Sequence, residues 1–241
     1  MNPIKNKTLH DNRNSFWKIA QLAENKYWRT RCSDAIGIFY EMGEDLDLPW
    51  MLQKTLKRNP QSFLDVGVGP MGVGLHWMYP KTPIRIGIDP LTKINVLTGN
   101  SYADKLVEEI CRDSWYSRGR GEELPFRSNF FELVVCHNVL DHVSEPISML
   151  NEVCRVTQKG GYVGISVDTN SRLGNFLRKI DRKLRSHLNT YKQHPHDFII
   201  GEIGEFLKSK GFDILFVNNA SFLGGLLGRR RRQSWVAIKT L

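Results

Sequence analysis

Short apolar runs alternate through the middle of the chain with segments whose apolar positions recur at helical spacing. Ser62–Val66, Ile84–Ile88, Phe131–Cys136 and Tyr162–Val167 read as strands, because continuous apolar runs of this length are buried on both faces of a sheet. Between them, helices are expected from about Met71 to Met78, within Ser101–Cys111 and over Pro146–Val156, with a turn at Lys159-Gly160-Gly161. This regular alternation predicts an α/β fold: a mostly parallel sheet with helices on both faces. A helix over Glu202–Lys210, closed by Gly211, precedes two last strands, Asp213–Asn218 and Ser234–Lys239. No helical pattern separates that pair, so they are expected as an antiparallel hairpin at the sheet edge.

The flanks differ. Residues 15–57 carry Phe16, Ile19, Leu22, Ala23 and Tyr27 at helical spacing and show no strand alternation, which predicts a helical N-terminal cap over 1–60 ahead of a main domain over 61–241. The aromatics Trp17, Tyr27, Trp28, Tyr40 and Trp50 of this cap could pack on the core or wall a substrate cavity, and core packing is expected for most of them. Within the main domain, Leu173, Phe176, Leu177, Ile180 and Leu184 are interleaved with Arg178, Lys179, Arg182, Lys183 and Arg185. That pattern is a basic amphipathic helix, and 170–200 reads as a basic, lid-like helical insertion.

Composition adds bounds. With 241 residues, 41% hydrophobic and 24% charged, the chain is long enough for one large domain with a full core. No apolar run is long enough to span a membrane and the first dozen residues are polar, so a soluble cytoplasmic protein is expected. The four cysteines are scattered without C-x-x-C spacing, which argues for reduced thiols and against a metal site. The net charge of +9 keeps nucleic acid and peripheral membrane contact open as partners. Much of the excess, however, sits in Arg172 to His187 and in Arg229 to Arg232, without a recognisable RNA-binding module, so nucleic acid is not favoured.

The candidate chemistry begins where the first strand ends. Gly67, Gly69 and Gly72 fit G-x-G-x-x-G, in which glycines permit positive φ and bring the backbone close to a ligand. A nicotinamide dinucleotide would suit the pattern, with Asp89 on its ribose. Asp65, at the mouth of the loop, would however face the pyrophosphate; a carboxylate there favours a cation, as in S-adenosylmethionine with its ammonium and sulfonium. Asp65, Asp89, His137 and Asp168 all fall at predicted strand ends, where an open parallel sheet gathers its ligand.

From Phe63 to about Val167 the chain resembles the class I S-adenosylmethionine-dependent methyltransferases, of the small-molecule type with a methyltransferase-11-like domain. Leu64-Asp65-Val66-Gly67-Val68-Gly69-Pro70 resembles the first motif of that family and Gly87-Ile88-Asp89 the second. Gly121-Glu122-Glu123-Leu124-Pro125-Phe126 and the strand after it are similar to the segment flanking adenine. Asn138-Val139-Leu140-Asp141-His142-Val143, with the helix and the Lys159-Gly160-Gly161 turn that follow, resembles the end of the fourth strand and its sequel. The resemblance implies a Rossmann-like seven-stranded sheet ending in the antiparallel hairpin, and S-adenosyl-L-methionine as cofactor. It implies cofactor contacts at Asp65, Gly67, Gly69 and Asp89, and at Gly121 and Glu122, which stand beside Arg120 where many relatives have an acidic residue. His137 and Asn138 would offer backbone groups to the methionine end.

Methyl transfer to a hydroxyl needs one base, and histidine titrates near neutrality. His194 and His196, flanking Pro195 after the fifth strand, are the catalytic candidates; His142 and Asp141 read as structural. An Asn-Pro-Pro-Tyr-like segment and a Pro-Cys nucleophile are both missing, which points away from base or glutamine amino methylation and from cytosine C5 chemistry. The expected function is transfer of a methyl group to a small-molecule or glycan acceptor at oxygen. Three alternatives stay open: an RNA or anionic-polymer methyltransferase, an NAD-dependent oxidoreductase, and a non-catalytic donor-binding protein.

Overall fold

The computed structural model describes residues 21–31, 46–184, 195–218 and 231–241, together with positions 18, 33, 34 and 37. Residues 21–31 are helical, and the ordered elements that follow are α1 (Asp47–Thr55), β1 (Ser62–Val66), β2 (Ile84–Asp89), α2 (Ser101–Cys111), β3 (Trp115–Arg118) and β4 (Phe131–His137). Then come α3 (Pro146–Val156), β5 (Thr157–Asn170), α4 (Arg172–Leu184), β6 (Phe198–Ile199), α5 (Glu202–Ser209), β7 (Phe212–Val217) and β8 (Arg231–Lys239). The sheet runs β3-β2-β1-β4-β5-β8-β7, with the two-residue β6 paired to β5 off this path. β1 to β5 are mutually parallel, whereas β8 lies antiparallel between β5 and β7. The expected mostly parallel sheet with a C-terminal hairpin is therefore the observed architecture.

Alternation along the central strands sets the two faces. Leu64 and Val66 of β1 join Val134 and Cys136 of β4 and pack against Met149, Leu150 and Val153 of α3 and Ile203 and Leu207 of α5. Phe63, Leu133 and Val135 point to the other side, onto Leu48, Met51 and Leu52 of α1. A period of two delivers this split, and both sides being apolar is why these strands read as continuous runs. α1 thus sits on the sheet itself, with Leu48 and Leu52 fully buried.

Two expectations need correction, and one strand was not expected. The helix expected from Met71 to Met78 is an irregular loop followed by a single 3-10 turn, His76–Met78, because Gly72 and Gly74 both take positive φ (73° and 41°). β3 carries no apolar alternation, being a four-residue edge strand with Trp115 largely exposed, so its pattern gave no signal. β5 starts at Thr157, earlier than Tyr162, and takes in the Lys159-Gly160-Gly161 turn as an irregularity in the β4–β5 register, with Gly160 at φ 74°.

Candidate active site

The carboxyl ends of β1, β2, β4 and β5 open into one cavity of about 420 Å³. Asp65, Asp89, His137 and Asp168, each at or near the end of one of these strands, all line it. Gly67, Gly69, Gly121, Glu122 and Asn138 line it as well.

The glycine loop is tight and internally bonded. Gly67 and Gly69 take φ of 78° and 73°. A Cβ on Gly67 would lie 2.3 Å from Val139 Cγ2, and one on Gly69 would lie 3.1 Å from the Trp28 ring. The loop N–H groups turn inward: Gly67 and Val68 donate to the Ile88 carbonyl (2.8 and 3.3 Å), Gly69 to Asp89 Oδ2 (3.0 Å), Gly72 to the Gly69 carbonyl (3.0 Å) and Leu75 to Asp65 Oδ2 (2.7 Å). Asp89 Oδ1 accepts from Leu91 N–H at 2.9 Å.

Burial governs the two carboxyls. Desolvation raises Asp65 to about 7; the Leu75 N–H opposes this and the neighbouring Asp89 charge adds to it. Asp89 is raised to about 6, again by burial first, against the Leu91 and Gly69 hydrogen bonds, with Glu24 adding a smaller upward push. Both shifts come first from removal from water, and Arg120, His142 and Arg232 line the same cavity.

On the cavity wall beside Arg120, Gly121 has no room for a side chain, since a Cβ would meet Met149 Sδ at 2.9 Å and Val66 Cγ1 at 3.0 Å. Glu122 Oε1 accepts from Ser144 N–H (3.0 Å), from Ser144 Oγ (2.7 Å) and from Arg120 (3.2 Å). Burial alone would raise Glu122; the hydrogen bond from Ser144 and the Arg120 charge more than offset it, so its pKa is lowered. At the other end, burial and then the charge of Arg232 hold His137 down to about 4, leaving a neutral imidazole at neutral pH. Asn138 sits at φ 54° with its N–H tied to the Ser166 carbonyl (3.0 Å), so that backbone donor is already used. Its Oδ1 is buried with no hydrogen-bond partner among the described residues.

Of the catalytic candidates, His194 lies outside the described residues. His196 Nε2 is 2.8 Å from the Val143 carbonyl, which requires it to donate there, and the ring is not among the cavity-lining groups. The structure instead brings in residues that the sequence reading did not select. Gln21, Glu24, Tyr27 and Trp28 of the N-terminal helical segment lie over the glycine loop, and Glu24 Oε1 is 3.2 Å from Nδ1 of His142, itself a cavity-lining residue. Asp141 Oδ1 is 3.6 Å from the other nitrogen of that ring. Arg232 of β8 reaches Asp168 Oδ1 at 3.4 Å. Glu24, Tyr27 and Trp28 share one helical face, a spacing that could have flagged them.

Residues 64–165 match the family model described as a methyltransferase domain. Over this stretch the chain is similar to methyltransferase domains. The domain is 34% identical over 104 residues to an uncharacterized methyltransferase of Schizosaccharomyces pombe, a match covering 42% of this chain and 37% of that protein. The chain spans about two fifths of the length of the curated relatives it matches. In fold, it is similar to the YcgJ protein of Bacillus subtilis (TM-score 0.57, 17% identity, 80% of this chain and 98% of that one). It is also similar to a Haemonchus contortus phosphoethanolamine N-methyltransferase 2 in complex with phosphomonomethylethanolamine and S-adenosylhomocysteine (TM-score 0.60, 17% identity, 86% and 58%). The residues lining the cavity fit S-adenosylmethionine: a glycine cradle that a Cβ would fill, two buried carboxyls, and an unsatisfied amide oxygen on Asn138.

Proposed function

We propose that this chain transfers a methyl group from S-adenosylmethionine to a small-molecule or sugar-type acceptor, at an oxygen. The observation that carries the donor side is the direction of the loop N–H groups. Dinucleotide sites present free N–H groups and a helix N-terminus to a pyrophosphate. Here the N–H groups of Gly67, Val68, Gly69 and Leu75 are already donated within the protein, only a single 3-10 turn follows the loop, and two carboxyls line the same wall. That surface repels a pyrophosphate and attracts a cation.

In this reading Asp65 and Asn138 serve the methionine end, Asp89 the ribose hydroxyls, and Gly121 with the Glu122 backbone the adenine. S-adenosylmethionine, when bound, supplies a methyl carbon already activated by the sulfonium. The protein then has to hold an acceptor hydroxyl in line and take its proton. His142 is the better-placed base than His196, because it lines the cavity and has Glu24 beside it, a carboxylate that stabilises the imidazolium formed when the proton arrives. The enclosure by Tyr27 and Trp28 supports a small acceptor over a polymer.

An extract incubated with methyl-labelled donor and the full chain, followed by mass spectrometry, should show one low-mass species gaining a methyl on oxygen. Label appearing in RNA would overturn the acceptor class. With that acceptor, Glu24→Gln and His142→Ala should lower kcat by about 10²-fold or more while leaving donor affinity nearly unchanged; full activity in both would return the role to His196 or to the undescribed His194.

A further inference from the structure

A surface helix ordinarily turns its apolar stripe to the core and its charges to water. α4 does the reverse. Leu173, Phe176, Leu177, Ile180 and Leu184 are 54%, 60%, 48%, 45% and 75% exposed, and their spacing puts them on one face. The opposite face holds the helix to the domain through small and polar groups. Gly174 and Asn175 are buried, Ser171 caps the helix by accepting from Gly174 N–H (3.0 Å), and Arg178 Nε donates to Asp197 Oδ1 at 3.0 Å, with side chains 16% and 6% exposed. Rotating the helix to bury its leucines would break that ion pair and strand the Asp197 charge, so the outward stripe is fixed by the packing beneath it.

The flank of the stripe identifies what it meets. Arg172, Lys179 and Lys183 are exposed and form a cationic row along one side of the apolar face, with the half-buried Asp181 on the other. A second copy of the chain is a poor occupant: five side chains are far fewer than the roughly 20–30 residues a side of a stable interface. A two-fold contact through this helix would also place cationic rows close together. An apolar face edged by lysine and arginine is instead the arrangement of a helix lying in the plane of a bilayer, its apolar side chains among the acyl chains and its cations at the headgroups.

We propose that α4 docks this domain on an anionic lipid surface. The inference stands on the helix alone and does not depend on the donor or acceptor assigned above. It is tested with the full chain by flotation with vesicles of equal parts phosphatidylcholine and phosphatidylglycerol, and with vesicles of phosphatidylcholine alone. The chain should float with the mixed vesicles and much less with the neutral ones. Replacing two lysines, Lys179→Gln with Lys183→Gln, should weaken binding by roughly tenfold or more, since each cation near such a surface contributes about five-fold. The charge-neutral pair Phe176→Ser with Ile180→Ser should weaken it by at least about tenfold through lost insertion, with an unchanged thermal midpoint because both side chains are exposed. Absence of flotation with the mixed vesicles overturns the proposal, as does flotation indifferent to the serine pair. Two further results overturn it in favour of another occupant. A fall in thermal midpoint in the serine pair would mean that the face is covered by the chain itself, and concentration-dependent dimerisation abolished by that pair would mean a second copy.

Discussion

Replacing Asp89 by alanine is expected to eliminate measurable donor binding and to lower the thermal midpoint as well. Both carboxylate oxygens are in use: Oδ2 holds Gly69 N–H and Oδ1 holds Leu91 N–H, at 3.0 and 2.9 Å. The first bond fixes the glycine loop and the second the turn after β2, so the residue shapes the cavity in addition to lining it. Hydrogen bonds to a charged group are worth about 1.5–3 kcal/mol each, and a buried N–H left unpaired costs about 1–3 kcal/mol. Loss of the proposed ribose contact and of the loop geometry together should weaken binding by at least about 100-fold. From sequence, Asp89 reads as a ligand group only; its two structural bonds add the stability loss. Calorimetry with S-adenosylhomocysteine, alongside thermal melts, separates the two effects: unchanged affinity would remove Asp89 from the site whatever the melt shows.

Asp65→Asn should act in opposite directions on stability and binding. The native carboxyl is raised from 3.8 to about 7 by burial, while in the unfolded chain it titrates at its ordinary value. Between these values the folded state binds more protons than the unfolded one, so the free protein loses stability as pH rises from about 4 towards 7. Asparagine keeps an oxygen to accept the Leu75 N–H, now at 2.7 Å from Asp65, and removes the buried charge. At about 1.4 kcal/mol per pKa unit, and with relaxation reducing the full figure, the variant should gain on the order of 1–3 kcal/mol at pH 8. Its melting temperature should also vary less with pH across that window. Donor affinity should fall, because the cation loses its counter-charge. A melt at pH 8 that is unchanged or lower would contradict this account of the carboxyl.

Much of this arrangement is legible in the sequence, for definable reasons. β1, β2, β4 and β5 are visible because strands buried on both faces become apolar runs, and because each ends on a polar residue that the sheet must present at one edge: Asp65 just before Val66, Asp89, His137 and Asp168. β3 is hidden because it pairs only with β2 and buries little. The expected helix after the glycine loop failed on Gly72 and Gly74, whose positive φ outweighs the helical spacing of Met71, Leu75 and Met78. In the site, the groups missed are those that arrive from far along the chain. Glu24 comes from a segment that reads as a helical cap, in which the aromatics including Trp28 are expected mostly in the core, and Arg232 comes from the last strand. The basic amphipathic pattern of α4 was plain, but which face turns inward depends on Asp197 meeting Arg178, and no periodicity encodes that.

The central claim is that the glycine loop and its two carboxyls form a site for a cationic adenosyl donor. Calorimetric titration of the full chain with S-adenosylmethionine, repeated at pH 5 and pH 8 and compared with NAD, tests it most directly. Saturable one-site binding of S-adenosylmethionine should strengthen from pH 5 to pH 8 as Asp89 and Asp65 ionise through about 6 and 7, with no heat from NAD. Binding of NAD with none of S-adenosylmethionine, or donor binding that weakens as the pH rises, would contradict it.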